Sequence, residues 1–571
     1  MRKITSLLLV AFLLLGIAGA PPTGRSPVYA KKGMVVSATM LASEIGRDIL
    51  QRGGNAIDAS IATAFALAVT WPTAGNIGGG GFIVYADKSG KTTTIDFREK
   101  APLAATEKMY LDSNGKVIKD LNHEGILSVG VPGTVAGLYL AHQKYGKLPW
   151  ADLVEPSIKL ASKGFPFTYA LHQQSKGLKS EFDKYPSTKK AIYKNGTSLY
   201  EPGEIWKQPD LANVLKKIKK YGRDGFYKGE VAKKLAAFMK ANGGLITEED
   251  LSKYEAIERE PITGSYRGYT IKTMPPPSSG GITLIEMLSI LEGYNLDSLG
   301  FKSADYVHVV AEAMRRAYAD RAQFLGDPDF NPDMPISTLT SKEHAVSVRK
   351  TIDLTKTSPS DSSRFGQLYE SPGNTTHLSV VDEEGNAVSL TYTLEENYGS
   401  KVVAEGLGFF LNDEMGDFNP QPGVTNRKGQ IGTKPNVIAP GKRMLSSMTP
   451  TILLSDGKPV MVVGSPGGRT IINTVLQVIL NHVDHKMNIA QSVEMPRFHH
   501  QWLPDQISFE HFSLAPEVQA KLKEKGHKLV EIPITAIYYP GHAMCIAIDP
   551  TTGYRMGAAD SRAADGGAAG Y

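Results

Sequence analysis

Residues 374–394 read NTTHLSVVDEEGNAVSLTYTL. Two runs rich in β-branched residues, Thr375 to Val381 and Ala387 to Leu394, flank the polar residues 382–386. Strand-forming runs on either side of a turn that contains Asp, Gly and Asn predict an antiparallel hairpin.

The sequence on both sides of this hairpin continues the pattern of strands and helices. A second hairpin is predicted from Thr449 to Val463, and the glycine-rich segment 464–468 joins it to an apolar helix that begins at Arg469. Nearer the N-terminus, helices are predicted over 40–69, with a break at Gly53-Gly54, and over 304–322, and strands over 82–85 and 92–95. Hairpins that lead into helices predict a layered α/β architecture with the sheets inside.

The first thirty residues are typical of a secretory signal peptide. Arg2 and Lys3 precede an apolar run from Leu7 to Ile17, and small and polar residues follow. Cleavage after Ala30 is expected, with cleavage after Ala20 as the alternative. The apolar run is short for a membrane anchor, which is the competing interpretation.

Bulk composition excludes several functional classes. Of the 571 residues, 41% are hydrophobic and 21% charged, as in ordinary globular proteins. Removing residues 1–30 deletes three basic and no acidic residues, so the net charge falls from +5 to about +2, which does not favour nucleic-acid binding. The single cysteine, Cys545, allows no internal disulfide and is expected in the core. No zinc-binding pattern occurs in the sequence, and neither a metal nor a cofactor is expected.

A Thr-Thr pair at the start of a strand would normally be a feature of the sheet alone. The order of motifs along the chain points further, because it resembles that of the gamma-glutamyltransferases, members of the N-terminal-nucleophile hydrolases. The motifs that carry the resemblance, besides 375–394, are GNAIDA (54–59), AGNIGGGGF (74–82), DFRE (96–99), PPPSSGG (275–281), LSSM (445–448), GSPGG (464–468) and PRFHH (496–500).

The resemblance implies an α+β fold of four layers, αββα. It also implies that the chain cuts itself between Asn374 and Thr375. The large subunit would then be 31–374 and the small catalytic subunit 375–571, and the two would form one intertwined domain.

In this family the freed threonine is the nucleophile. A threonine hydroxyl needs a base, and the new α-amine of Thr375, with an ordinary pKa of roughly 8, can accept its proton directly or through a water. The resemblance assigns Thr393 to hydrogen-bonding the nucleophile. It assigns the N–H groups of Gly467 and Gly468, which lie between a strand and a helix, to the oxyanion hole.

The resemblance also supplies residues for holding the free end of a gamma-glutamyl group. Arg98, Ser446 and Ser447 match the family's residues for the α-carboxylate, and a guanidinium suits that task because it binds a carboxylate at two points. Glu395, Glu414 and Asp417 occupy the places of those for the ammonium, although many members carry neutral amides where this chain has Glu395 and Glu414. Three carboxylates for one ammonium imply that at least one shares a proton or has another partner.

The expected substrates are small molecules: glutathione, glutamine or other gamma-glutamyl compounds as donors, and water, amino acids or dipeptides as acceptors. No nucleic-acid partner is expected, and no membrane partner after signal removal. The enzyme would be extracellular, or periplasmic in a host with an outer membrane. The segment Pro422 to Lys434 has the length of a lid loop found in some members, but Lys428 occupies the place of its gating aromatic residue, which leaves closure in doubt.

Two other functions remain open from the sequence. One is hydrolysis of poly-gamma-glutamate or acyl side chains on the same scaffold, which Glu395 and the altered lid allow. The other is a secreted gamma-glutamyl-binding protein without turnover. Retention of Thr375 together with Gly467 and Gly468 argues against the second, because binding alone requires none of them.

Overall fold

A computed structural model of the chain describes residues 25–360, 373–424, 432–532 and 541–571. The strands are β1 Val28–Ala30, β2 Met34–Ser37, β3 Gly80–Ala86, β4 Thr92–Phe97, β5 Phe165–Pro166, β6 Tyr193–Lys194, β7 Ser198–Leu199, β8 Ile205–Trp206, β9 Ile257–Arg259, β10 Ile262–Tyr266, β11 Tyr269–Thr273, β12 Gly373–Val381, β13 Ala387–Glu396, β14 Thr451–Ser455, β15 Lys458–Val463, β16 Phe498–His499, β17 Ile507–Glu510, β18 Leu529–Ile532, β19 Met544–Ile548, β20 Arg555–Ala559 and β21 Gly567–Gly570.

The α-helices are α1 Met40–Gln51, α2 Ala56–Thr70, α3 Thr134–Tyr145, α4 Trp150–Lys163, α5 Tyr169–Gly177, α6 Lys179–Phe182, α7 Pro186–Ile192, α8 Pro209–Tyr221, α9 Asp224–Tyr227, α10 Gly229–Ala241, α11 Glu248–Lys253, α12 Gly280–Leu291, α13 Leu296–Leu299, α14 Ala304–Phe324, α15 Ile336–Leu339, α16 Lys342–Arg349, α17 Ile471–Val483, α18 Ile489–Glu494 and α19 Pro516–Glu524. Short 3-10 helices cover Ile126–Ser128, Glu414–Asp417, Lys434–Asn436 and Gly468–Thr470.

Two seven-stranded antiparallel sheets form the centre of the fold. One has the strand order β1-β20-β19-β15-β14-β11-β10, and the other β21-β2-β12-β13-β3-β4-β9. They pack face to face through β12 and β13 against β19 and β15. Helices α1 to α3 cover the outer face of the second sheet, and α12 and α18 cover that of the first. This arrangement confirms the predicted αββα sandwich.

Strands from both sides of residue 375 are interleaved in each sheet. In the second sheet, β2 lies between β21 and β12, and β13 lies between β12 and β3. In the first, β14 pairs with β11, and β20 pairs with β1. The residues before and after position 375 therefore share both sheets and both hydrophobic cores.

The β12–β13 hairpin has the register that its sequence predicts. Val381 pairs with Ala387, and the pairing continues to Thr375 opposite Thr393. The side chain of Asp382 holds the turn, since it accepts hydrogen bonds from the N–H groups of Gly385 and Asn386 at 3.0 Å each. It also accepts the N–H of Ala56 at 3.0 Å, which fixes the hairpin to the N-terminus of α2.

Alternation along this hairpin decides which side chains face the site. Leu378, Val380 and Leu390 point into the core beneath the helices. Polar side chains of the other parity point between the sheets, where Ser379 Oγ donates to the carbonyl of Met544 and Ser389 Oγ to that of Val463. Thr375 and Thr393 belong to this polar set and therefore open into the space between the sheets.

A β-bulge lies opposite the expected cleavage point. Thr375 pairs with Thr393 but Gly373 pairs with Glu396, so β13 carries one extra residue there. Glu395 sits in this bulge with φ +82, a left-handed conformation that is uncommon outside glycine. The bulge turns the end of β13 and re-aims the Glu395 side chain.

The N-terminal described residues belong to the folded body. Val28, Tyr29 and Ala30 pair with β20, and Arg25 forms an ion pair with Glu494 at 2.9 Å. Cleavage after Ala30, as expected from the sequence, would remove this strand, and the alternative site at Ala20 lies outside the described residues. Within the described part of the chain, no helix has the length and apolar character needed to cross a bilayer. Cys545 is buried and unpaired, as expected.

Candidate active site

Thr375 lies near the N-terminal end of β12 and is only 4% exposed. Its hydroxyl donates to Thr393 Oγ1 on the neighbouring strand at 3.3 Å. Thr393 Oγ1 also accepts the N–H of Glu395 at 2.8 Å. The cross-strand pair thus connects the expected nucleophile to the bulge that carries Glu395.

The turn that follows β15 lies beside this strand. The 3-10 helix Gly468–Thr470 packs against β12. Gly467 has φ +129 and Gly468 has φ +55, and a Cβ on Gly467 would lie 2.9 Å from Gly541 Cα. Among the described residues, no acceptor is hydrogen-bonded to the N–H of either glycine. Both N–H groups therefore lack a backbone or side-chain acceptor in the described part of the chain, at a turn that contacts β12.

Arg98 directly follows β4 and is fully buried. Its guanidinium forms short ion pairs with Glu414 and Asp417, and Nη1 lies 3.5 Å from Glu99 Oε2. The sequence predicted that an acid in this set would have a second partner, and here two of the three expected acids pair with Arg98.

Arg98 also reaches the segment that carries the serine pair. Its Nε donates to the carbonyl of Met444 at 3.3 Å and its Nη2 to that of Leu445 at 3.4 Å. Ser446 and Ser447 follow at once, 2% and 9% exposed. The guanidinium therefore lies between the acids and the serines.

The acids of this cluster are crowded and desolvated. Burial, followed by the charge of Asp413, raises the pKa of Glu395 well above its usual range. Burial outweighs the attraction of Arg98 and raises the pKa of Glu414 to about 8. Burial also raises the pKa values of Glu99 and Asp413 well above their usual range. A cation bound here would favour ionisation of the surrounding carboxyl groups, and each ionised carboxylate would in turn stabilise the cation.

Comparison with known proteins identifies the fold and the family. The family model described as gamma-glutamyltranspeptidase matches residues 42–571. The chain belongs to the gamma-glutamyltranspeptidase family. It is 46% identical over 548 residues to a glutathione hydrolase proenzyme of Escherichia coli, with 95% of this chain and 93% of the relative covered. It is 47% identical over 521 residues to one of Pseudomonas sp. strain A14, with coverages of 91% and 90%.

A solved structure gives the same fold over almost the whole molecule. The cephalosporin acylase of Bacillus halodurans superposes with a TM-score of 0.82 at 28% identity, and 97% of this chain and 98% of that chain are covered. Membership of the gamma-glutamyltranspeptidase family confirms the predicted N-terminal-nucleophile hydrolase fold and the predicted enzyme class, a threonine-nucleophile acyltransferase and hydrolase.

The structure brings the predicted side chains of this family member into one region. Thr375, Thr393 and Glu395 form the hydrogen-bonded series described above. Arg98, Glu414 and Asp417 form the ion-paired group, and Ser446 and Ser447 adjoin it through the carbonyls that Arg98 binds. The side chain of Asn374 and most of the lid segment, including Lys428, lie outside the described residues.

Sequence reasoning missed several charged residues of this region. Asp413 accepts the N–H of Glu396 at 3.0 Å, and Lys401 forms an ion pair with Glu396 at 2.9 Å. Arg321, at the end of α14, donates to Ser447 Oγ at 2.9 Å. No motif marks Arg321 as a site residue. However, it shares a buried helix face with Ala317 and Tyr318, and an arginine on an otherwise apolar face is unusual enough to indicate a functional role.

Proposed function

We propose that this chain is a glutathione hydrolase and gamma-glutamyltransferase that matures by cutting itself between Asn374 and Thr375. The observation that carries the proposal is the position of Thr375. Its hydroxyl is hydrogen-bonded to Thr393 on one side of the site, and the amides of Gly467 and Gly468 lie at the neighbouring turn.

Maturation would use the nucleophile on its own backbone. Thr375 Oγ attacks the carbonyl carbon of Asn374, the C–N bond breaks, and the acyl group moves to the oxygen as an ester. Water then hydrolyses that ester, which leaves a carboxylate on residue 374 and a free amine on Thr375. The bulge opposite this bond shifts the pairing register between Thr375–Thr393 and Gly373–Glu396, so the peptide is not held in a regular ladder.

The mature enzyme would repeat the same chemistry on its substrate. The Thr375 amine accepts the hydroxyl proton as Oγ attacks the gamma-carbonyl carbon, and the Gly467 and Gly468 N–H groups stabilise the oxyanion. The proton passes to the leaving nitrogen, and the gamma-glutamyl group remains on Thr375 as an ester. Attack by water gives glutamate, and attack by an amino group gives a new gamma-glutamyl amide.

The charged groups fit the two ends of the donor amino acid. Glu395, Glu414 and Asp417 offer carboxylates to its ammonium, while the serine pair and Arg98 offer hydrogen-bond donors to its α-carboxylate. Because two of these acids already pair with Arg98, we expect the arriving zwitterion to replace part of that ion-pair network. The dense acidic cluster argues against an uncharged acyl side chain as the preferred substrate.

The proposal extends to processing and location. The large subunit would end at residue 374 and the small subunit would begin at residue 375. We propose export under the N-terminal signal, with the pairing of β1 favouring cleavage upstream of Arg25. Acceptors would be water and the amino groups of amino acids or dipeptides, and no metal or cofactor takes part in the steps above.

The experiment that tests this function uses purified, matured protein and a gamma-glutamyl anilide. Release of the aniline should accompany the transient addition of one gamma-glutamyl group to the peptide that begins at Thr375, seen by mass spectrometry after acid quench. Addition of glycylglycine should speed aniline release if transfer competes with hydrolysis. Absence of aniline release from matured protein would exclude the proposed activity.

A further inference from the structure

Arg321 is a buried cation for which the described residues provide no ion-paired acid. Its Nε donates to Ser279 Oγ at 2.8 Å and its Nη2 to Ser447 Oγ at 2.9 Å. Among the residues that the structure describes, no carboxylate lies within ion-pair distance of Arg321, and the charge of Asp417, which pairs with Arg98, acts on it only from farther away. A buried guanidinium that meets only hydroxyl groups is costly unless an anion joins it.

Arg98 contrasts with Arg321 in this respect. Glu414 and Asp417 both pair with Arg98, and Glu99 lies close to it, so the charge of Arg98 is already offset within the protein. Arg321 is therefore the arginine beside the serine pair whose charge no ion pair offsets among the described residues. Burial, and after it the charge of Arg469, lowers the pKa of Arg321 to about 10, which leaves the guanidinium protonated at neutral pH.

The hydrogen bonds of Arg321 also orient the serines. A serine hydroxyl has one proton to donate and two lone pairs that can accept. Ser447 Oγ uses an acceptor position for Arg321, and Ser446 Oγ uses one for the N–H of Met448 at 3.1 Å. Neither hydroxyl donates to an acceptor among the described residues, so both protons remain available to a ligand.

Helix α14 connects this contact to the oxyanion turn. Three residues before Arg321, the hydroxyl of Tyr318 donates to the carbonyl of Arg469 at 2.6 Å, next to Gly468. Residues three apart lie on one face of a helix. One helix face of the segment before residue 375 thus fixes the spacing between the serine pair and the glycine turn, both of which come after residue 375.

We propose that Arg321 is a specificity-determining positioning residue, which directs the Ser447 hydroxyl toward the donor's α-carboxylate and supplies the unbalanced positive charge that this carboxylate neutralises. The inference rests on the proposed function and deepens it, because it assigns recognition of the carboxylate to a second arginine. It also gives α14 a part in substrate selection.

The test compares two anilides that differ only in the carboxylate: the gamma-glutamyl anilide and the 4-aminobutanoyl anilide. In Arg321→Met, we expect kcat/KM for the first to fall roughly thirty-fold or more, mainly through KM, and for the second to fall less than about threefold. Arg321→Lys retains the charge but cannot reproduce the hydrogen-bond geometry of the guanidinium. Its kcat/KM for the gamma-glutamyl anilide should therefore lie between the values of wild type and Arg321→Met.

Arg316→Met is the matched control, because it removes another arginine from α14 that pairs with Glu312 and Ser358 away from the serine pair. Its ratio of the two kcat/KM values should equal that of wild type. Only variants that mature on a denaturing gel are compared, and Arg321→Lys supplies the result where Arg321→Met does not mature.

Two outcomes overturn the inference: equal losses on both anilides, which indicate a structural role, or no loss on either. These outcomes differ from failure of the proposed function, in which wild type itself would not release aniline from the gamma-glutamyl anilide.

Discussion

Thr375 and Thr393 face each other across the β12–β13 ladder, and the hydroxyl of the first donates to the hydroxyl oxygen of the second at 3.3 Å. The pairing register sets this contact, and the turn at Asp382 fixes the register. The geometry of the nucleophile is therefore a property of the hairpin as a whole.

Thr375→Ala should remain a single chain, because it removes the oxygen that attacks residue 374. Wild type, with the signal removed after Ala20, should give fragments of about 38 and 21 kDa, at the mean residue mass set by 61.8 kDa over 571 residues. Thr376→Ala is the matched control, since that buried hydroxyl has no hydrogen-bond partner in the described structure. A denaturing gel with N-terminal sequencing decides the matter, and a Thr375→Ala protein cut at the same bond would refute the assignment.

Glu395→Gln should mature normally but bind gamma-glutamyl donors poorly. It retains the size of the side chain and removes one carboxylate from the ammonium site. The resulting fall in kcat/KM should correspond to a loss of about 2–5 kcal/mol of transition-state stabilisation. Glu384→Gln, an exposed acid in the turn of the same hairpin, is the control and should leave donor kinetics unchanged. Equal kcat/KM for Glu395→Gln and wild type would remove Glu395 from the site.

Gly467→Ala should lower kcat by a hundredfold or more, the loss typical of one oxyanion donor. Alanine rarely adopts φ +129, and its Cβ would contact Thr470 Oγ1 and Gly541, so the N–H must move. Gly553→Ala changes a glycine with φ +72 whose Cβ would meet no atom within 4 Å, and its kcat should not change. Steady-state kinetics on matured proteins would contradict the assignment if both variants behaved alike.

Glu414 should make the uncut protein less stable as pH rises. Its pKa is raised from 4.5 to about 8 on folding, so the folded state binds its proton more tightly and unfolding becomes easier between those pH values. In a Thr375→Ala background, Glu414→Gln should reduce the loss of unfolding free energy between pH 5 and pH 9 by about 1–3 kcal/mol. Urea unfolding at each pH measures this, and the exposed Glu405→Gln serves as control. If the free energy of unfolding depends on pH in the same way with and without Glu414, the pKa of its carboxyl group is not raised by folding.

The exported large subunit should begin upstream of Arg25. Residues 28–30 complete the edge of one sheet, and Arg25 pairs with Glu494, so the folded enzyme uses residues that cleavage after Ala30 would discard. N-terminal sequencing of the larger fragment from culture medium or periplasm tests this. A mature N-terminus at Lys31 would show that β1 is dispensable.

Local signals predicted most of the fold. The predicted hairpin pairs as β12 and β13, and the break at Gly53-Gly54 separates α1 from α2 as expected. Family motifs supplied the candidate site residues, which the structure brings together.

What the sequence did not predict depends on contacts between distant segments. The ion pairs of Arg98 with Glu414 and Asp417 join residues more than three hundred positions apart. The left-handed conformation of Glu395 follows from a mismatch between two strands, which neither strand shows alone. That no described carboxylate forms an ion pair with Arg321 depends on the residues around it, and the sequence near Arg321 does not indicate it.

The interleaving of strands affects whether the mature enzyme can refold after denaturation. β2 is hydrogen-bonded between β21 and β12, so the two fragments cannot separate without breaking the sheets. The uncut chain refolds by a first-order process, but the cut pair must meet again in solution, and dilution slows that encounter. Self-cleavage would therefore convert a protein that can recover from denaturation into one whose lifetime is set by its unfolding rate. Fragments from two different molecules would not exchange at any concentration while both remain folded.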